Sequence, residues 1–171
     1  QASPEKLRQL CRSMAQYIYD YLQIASIRNQ YREKLKIEAL DIAGATENII
    51  ESMFSTDRNR IRLEVIENFK VFCERAHLES IIANLLSNGL KYSEKEVVIQ
   101  LKAESLDIID SGPGLSQESE KRFGEAFNRS ERSDSTGLGL AFVKSICDLY
   151  AWKLSYHRSQ EQSHFSINFE D

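Results

Sequence analysis

Short apolar runs come along this chain in adjacent pairs, with helical stretches between the pairs. Ile61–Ile66 is followed at once by Phe69–Cys73, Val97–Lys102 by Leu106–Ile109, and Trp152–His157 by His164–Phe169. Runs of that length, several of them alternating apolar with polar residues, read as strands. A further short strand is expected around Leu35 and Ile37. Helices are expected near Asp41–Phe54, where Asp41 can cap the start, at Leu78–Tyr92 and at Gly139–Tyr150. In the second of these Leu78, Ile81, Ile82, Leu85 and Leu86 make one apolar stripe. Strands in pairs are not a strict strand–helix alternation. They predict an α/β fold, a two-layer sandwich of a mixed β-sheet with helices on one face.

The chain has 171 residues, 42% hydrophobic, enough for one core and a helical extension. Its net charge of -4 argues against nucleic acid or an anionic membrane surface as partner. Cys11, Cys73 and Cys147 form neither a metal-ligand spacing nor a disulfide framework, which suits a reducing cytoplasm. No apolar run approaches the ~20 residues that span a bilayer, so this stretch holds no anchor. Residues 5–30 predict one helix, started by Ser3 and Pro4. Leu7, Leu10, Met14, Tyr17, Tyr21 and Ile24 recur at steps of three and four along it. That seam fits a helix packing on its own domain and a dimerising bundle equally well.

Three groups of residues carry chemistry. Asn84, Asn88 and Lys91 share one face of the helix Leu78–Tyr92. A polar face is most often only solvated. The sharper reading is an asparagine oxygen on Mg²⁺ beside a phosphate, with Lys91 neutralising the phosphate. Asp110-Ser111-Gly112-Pro113-Gly114 follows an apolar strand. There a carboxylate can accept from an exocyclic amine, and glycines let backbone pass close to a ligand. An ordinary turn has the same composition. Thr136-Gly137-Leu138-Gly139 opens a helix, where free N–H groups and the dipole suit phosphate. Between the last two lies a long polar segment, Ser116–Ser135, expected to be a lid pinned at one end by Phe123 and Phe127.

Order and spacing say more than any one of these. "NLLSNGLKYS" at 84–93, "DSGPG" at 110–114, "FGEAFNR" at 123–129 and "TGLGL" at 136–140 resemble the N, G1, F and G2 boxes of the catalytic ATP-binding domain of sensor histidine kinases. That domain has the Bergerat fold, shared with gyrase, the heat-shock chaperone ATPases and MutL. The resemblance implies Asn88 as Mg²⁺ ligand with Asn84 in support, Lys91 on phosphate and Tyr92 beside the adenine. It implies Asp110 as acceptor from the adenine amine, with Gly112 and Gly114 passing the base. Thr136, Gly137, Leu138 and Gly139 would wrap the phosphates, and Arg129 would reach the terminal one. It divides the chain into residues 1–31, the later part of the dimerisation hairpin's second helix, and residues 32–171, the catalytic domain.

The implied activity is transfer of the terminal phosphate of Mg-ATP to a histidine. Partners would be the kinase's own dimerisation domain, a second copy and a response regulator receiver domain. The location would be cytoplasmic, including the cytoplasmic portion of a membrane-anchored sensor. Hydrolysing relatives carry a glutamate four residues before the metal-binding asparagine. Here that position is Asn84, and an amide has no useful basicity. The departure favours phosphotransfer over hydrolysis. His77, His157 and His164 read as structural or surface residues, so the acceptor histidine is expected upstream of Gln1. The alternative is a pseudokinase or nucleotide-gated interaction module that binds ATP without phosphotransfer. Gly89 departs too, standing where alanine is usual; glycine inside a helix costs ~1 kcal/mol, so a close packing need is expected there.

Overall fold

The computed structural model describes residues 35–123 and 139–170, together with residues 3–5, 7, 8, 11, 14, 15, 18, 21, 22, 25 and 26. Described residues from Pro4 to Ser26 are helical. Of the apolar seam, Leu7, Met14 and Tyr21 are exposed, while Leu10, Tyr17 and Ile24 lie outside the described residues.

Strand β1 (Glu38–Asp41) runs into helix α1 (Ile42–Met53). Asp41 makes the join: its carboxylate accepts from the Gly44 amide at 2.7 Å and from Asn68 on the far side. Those two bonds hold the Asp41 carboxyl below its ordinary range. The strand expected at Leu35 and Ile37 begins later, at Glu38. Leu40 is the buried residue of β1, paired opposite Val71, whereas Ile37 is 49% exposed, so burial of Leu40 sets where pairing starts. A 3₁₀ turn at Ser55–Arg60 leads into β2 (Ile61–Val65), then β3 (Lys70–Cys73) and the long helix α2 (Arg75–Tyr92).

Next come β4 (Val97–Lys102) and β5 (Ser105–Asp110), a short helix α3 (Gln117–Lys121), then α4 (Gly139–Leu149), β6 (Lys153–Ser159) and β7 (Gln162–Asn168). The strands form two sheets. β1 and β3 make an antiparallel ribbon, and the main sheet runs β2-β4-β5-β7-β6. It is mixed, because β2 pairs parallel with β4 across the α2 connection and every other pair is antiparallel.

Alternation on the strands gives the sheet one buried face. Val97, Ile99 and Leu101 of β4, Leu106 and Ile108 of β5, and Phe165 and Ile167 of β7 point to it. Against them pack Leu78, Ile81, Ile82, Leu85 and Leu86 of α2 and Phe142, Val143, Ile146 and Cys147 of α4, in one continuous core. The fold is therefore the expected α/β sandwich with helices on one face. The other face mixes Val98 and Ile109 with polar residues, Gln100, Lys102, Asp107 and the stacked pair His157 and His164, 4.4 Å between ring centres.

The two-residue turns of the β4–β5 and β6–β7 hairpins, Ala103-Glu104 and Gln160-Glu161, have φ between 43° and 64° at all four positions. That is the twist two-residue hairpins favour, built here without glycine. Cys73 and Cys147 are buried free thiols, and burial pushes both up to about 12.

Candidate functional site

Helix α2 ends where β5 ends, and the groups singled out in the sequence gather there. Asn84 donates from its amide nitrogen to the Ser80 carbonyl at 2.7 Å. Its oxygen faces the first residue of α4, where a Cβ on Gly139 would lie 3.0 Å from it. The amide thus fills the space that glycine leaves, and α2 meets the N-terminus of α4 at this point. Asn88, one turn further on, is half-buried, and its side chain exchanges no hydrogen bond with another described residue. Its hard carboxamide oxygen is of the kind Mg²⁺ takes. Lys91 is exposed, its ammonium 5.3 Å from the centre of the Tyr92 ring. The Tyr92 hydroxyl is buried and has no partner among the described residues. A buried hydroxyl left unpaired is costly, and a ligand group would satisfy it.

The last turn of α2 is fastened from two directions. Arg60 donates to the Leu90 and Ser93 carbonyls, supplying a cation and donors to a helix C-terminus. The buried Ser93 hydroxyl accepts from the Lys95 amide at 3.2 Å. Gly89 explains itself here: a Cβ would sit 3.0 Å from Val97 and 3.6 Å from Asp110, so alanine would crowd the strand that the helix covers.

Asp110 is the last residue of β5 and is 5% exposed. Among the described residues no lysine or arginine forms an ion pair with it. Burial raises its carboxyl above the ordinary value, while the Gly112 amide, at 2.7 Å, and the positive charge of Arg158 act the other way. Gly112 is required by close approach, because a Cβ would lie 2.8 Å from both the Tyr92 carbonyl and the Asp110 carboxylate. Gly114 has φ +74°, a conformation that glycine adopts freely.

Structure thus brings the Tyr92 carbonyl, Asp110 and Gly112 together and Asn84 against Gly139, with Asn88 and Lys91 on the same helix α2, while Gly114 lies against Tyr156, Arg158 and Ser163. Arg129, Thr136, Gly137, Leu138 and Phe127 lie outside the described residues. Phe123 packs on Tyr156 and Phe165, ring centres 6.0 and 6.1 Å away, as the expected pin of the segment's first end. That segment opens with α3, capped by Ser116, which no apolar periodicity announces. Described residues contain no group of three or more His, Cys, Asp or Glu side chains suited to a metal. A cavity of about 500 Å³ flanks the Asp110 loop, lined by Lys95, Ser111, Gly112, Pro113 and Arg158 among others. None of Asn84, Asn88, Lys91 or Tyr92 lines it, so it is distinct from the helix face just described.

His77 is buried, with its Nδ1 2.7 Å from the Tyr150 hydroxyl, and burial lowers its pKa against the pull of Glu74. It serves the packing of α2 on α4. Sequence reasoning missed Arg60, Ser93, Tyr156, Arg158 and Ser163, all of which hold the site's backbone. Their only signal is long-range pairing, such as Ser163 opposite Asp110.

The family described as Histidine kinase-, DNA gyrase B-, and HSP90-like ATPase matches residues 73–171. Sensor histidine kinase HprS of Escherichia coli (strain K12) is 27% identical over 142 residues, 78% of this chain and 31% of that protein. The chain thus spans less than a third of that relative's length. Among solved structures, the Acinetobacter baumannii histidine kinase AdeS superposes with TM-score 0.73 at 21% identity, covering 98% of this chain and 84% of that one. Full-length ShkA, described as in complex with AMPPNP, gives TM-score 0.76 at 20% identity over 98% of this chain and 39% of that one. With a match over more than half its length, the chain belongs to the family of histidine kinase-, DNA gyrase B- and HSP90-like ATPases.

Proposed function

We propose that this chain binds Mg-ATP between α2, the Asp110 loop and the start of α4, and donates the terminal phosphate to a histidine of a two-component sensor kinase. The observation that carries the reading is Asp110: a carboxylate 5% exposed, without an ion-pair partner among the described residues, at the lip of a strand where the Gly112 backbone passes between it and the Tyr92 carbonyl. A buried anion of this kind opposes folding unless function requires it. The adenine amino group would give Asp110 its missing donor. Asn88 and Asn84 would hold Mg²⁺, which neutralises phosphate charge, and Lys91 would lie along the phosphates. Gly139 opens α4, and the first N–H groups of a helix have no partner within it, which suits a phosphate.

In the transfer, an imidazole nitrogen attacks the terminal phosphorus and the bond to the bridging oxygen breaks, leaving ADP. His77, His157 and His164 are poor acceptors for it, the first buried and the others in β6 and β7. The acceptor would therefore stand outside residues 1–171, on the first helix of a dimerisation hairpin whose second helix includes residues 1–31. A response regulator receiver domain would take the phosphate next, in the cytoplasm. No helix among the described residues is long and apolar enough to cross a membrane. Asn84, in the position of the water-activating glutamate of hydrolysing relatives, supports transfer over hydrolysis.

Calorimetric titration with a non-hydrolysable ATP analogue, with and without Mg²⁺, tests the site. Micromolar binding is expected, with Asn88→Ala removing its Mg²⁺ dependence. No binding by the unmodified chain would overturn the reading. Nucleotide bound tightly by a longer chain that never labels histidine would instead mark a pseudokinase, and brisk ATP hydrolysis by residues 1–171 would end the argument from Asn84.

A further inference from the structure

The loop that presents Asp110 is gripped from β6. Arg158 Nη1 donates to the Gly112 carbonyl at 2.9 Å and to the Ser163 hydroxyl at 3.2 Å, and its Nη2 reaches the Glu161 carbonyl at 3.4 Å. Two of these contacts lie within the β6–β7 hairpin; the first crosses to the loop. Two residues earlier on β6, the Tyr156 hydroxyl accepts from the Leu115 amide at 3.0 Å. A Cβ at Gly114 would lie 2.5 Å from Arg158 Nη1 and 2.6 Å from the Tyr156 hydroxyl, so both side chains press on the loop with no atom between. The Tyr156 ring is itself fixed against Phe165, centres 4.9 Å apart, and against Phe123.

We propose that Arg158 and Tyr156 are a clamp that sets the backbone from Asp110 to Leu115, making Arg158 a positioning residue for recognition of the adenine ring. The proposal rests on the reading of Asp110 as the adenine acceptor. Its physical content is preorganisation. A loop with two glycines, one of them at φ +74°, has many conformations open to it, and two cross-links from a rigid strand select one before ligand arrives. A guanidinium holding a backbone carbonyl is a charge-assisted bond, stronger than a neutral one. The same charge favours the ionised, accepting form of Asp110.

The test compares Arg158→Ala and Tyr156→Phe with the unmodified chain. Tyr156→Phe keeps the ring on Phe123 and Phe165 and removes only the acceptor for Leu115, so it folds even if the arginine variant does not. Two measurements are made: amide hydrogen exchange without ligand, and affinity for adenosine and for a non-hydrolysable ATP analogue. Faster exchange at Gly112 and Leu115 is expected in both variants, with the core amides of β4 unchanged. Arg158→Ala loses about tenfold in affinity and Tyr156→Phe about threefold, the ordinary worth of a charged and a neutral hydrogen bond. The loss is the same for adenosine as for the ATP analogue, because the clamp acts at the base. Unchanged exchange overturns the clamp. Faster exchange with unchanged affinity overturns its positioning role, and so does a loss confined to the ATP analogue, which would mean direct contact with phosphate. If the unmodified chain binds neither ligand, the nucleotide reading falls and takes the positioning role with it, while the exchange rates still decide whether the clamp exists.

Discussion

Asp107 and Asp110 stand three residues apart on β5, equally hidden at 6% and 5% exposure, and the chain treats them in opposite ways. Asp107 faces the polar side of the sheet and pairs with Lys102 at 3.2 Å. Asp110 lies at the strand end beside α2, where burial raises its carboxyl and one backbone amide answers it. One aspartate is built into the fold; the other is held at a cost. On the proposed reading, the contrast separates a ligand-binding carboxylate from a structural one by its partners when burial is the same.

The largest effect that could break this contrast is on binding. With Asp110 as the proposed acceptor from the adenine amine, Asp110→Asn puts a donor in place of that acceptor and should cost about a hundredfold in nucleotide affinity. Asp107→Asn should cost nothing. Titration of both variants decides, and equal losses would dissolve the distinction.

Much of this site was legible in the sequence, and the reason is local. An apolar strand running into Asp110-Ser111-Gly112-Pro113-Gly114 needs no distant partner to be recognised, nor does Asn88 one turn after Asn84. Arg158 was not legible because its role exists only once β7 lies between β5 and β6, putting Ser163 opposite both Asp110 and Arg158. The first strand was displaced for a similar reason. Apolar character suggests Leu35 and Ile37, but pairing with Val71 and burial of Leu40 start it at Glu38. The hairpin turns carry Ala-Glu and Gln-Glu in place of the Asn-Gly signature, so the strand pairs could be read from their apolar runs but not the tightness of the turns between them.

A smaller effect separates the aspartates in the ligand-free chain. Asp110 has a folded pKa above its ordinary 3.8, so over the window just above 3.8 the folded chain binds more protons than the unfolded one. Its contribution to stability is therefore present in acid and lost as pH rises through the folded value. Asp110→Asn keeps an oxygen for the Gly112 amide and removes this loss. Near neutral pH it should stabilise the ligand-free chain by about 1 kcal/mol, within the usual range for relieving a strained functional site. Asp107→Asn should destabilise slightly, by roughly 0.5 kcal/mol, because Lys102 is half exposed and solvent screens the pair. Urea unfolding at pH 7 and again near pH 4 reads both signs, and the gain from Asp110→Asn should shrink at the lower pH. A loss of stability in both variants would place Asp110 among the structural residues.

The smallest effect acts on the strand that carries both residues, from the end farthest from the loop. Ala103, at φ 43°, opens the turn between β4 and β5, next to Lys102. A non-glycine residue in the left-handed region costs roughly 1 kcal/mol, which Ala103→Gly relieves. Glycine also enlarges the unfolded ensemble, which takes back about 0.4–1 kcal/mol. The two terms nearly cancel, so the expected gain is only a few tenths of a kcal/mol, read by urea unfolding, with nucleotide affinity unmoved. Affinity that did move would mean that the hairpin end of β5 communicates with Asp110. The loop would then be set along the strand as well as from β6, and the two aspartates would belong to one mechanical unit in place of two separate sites.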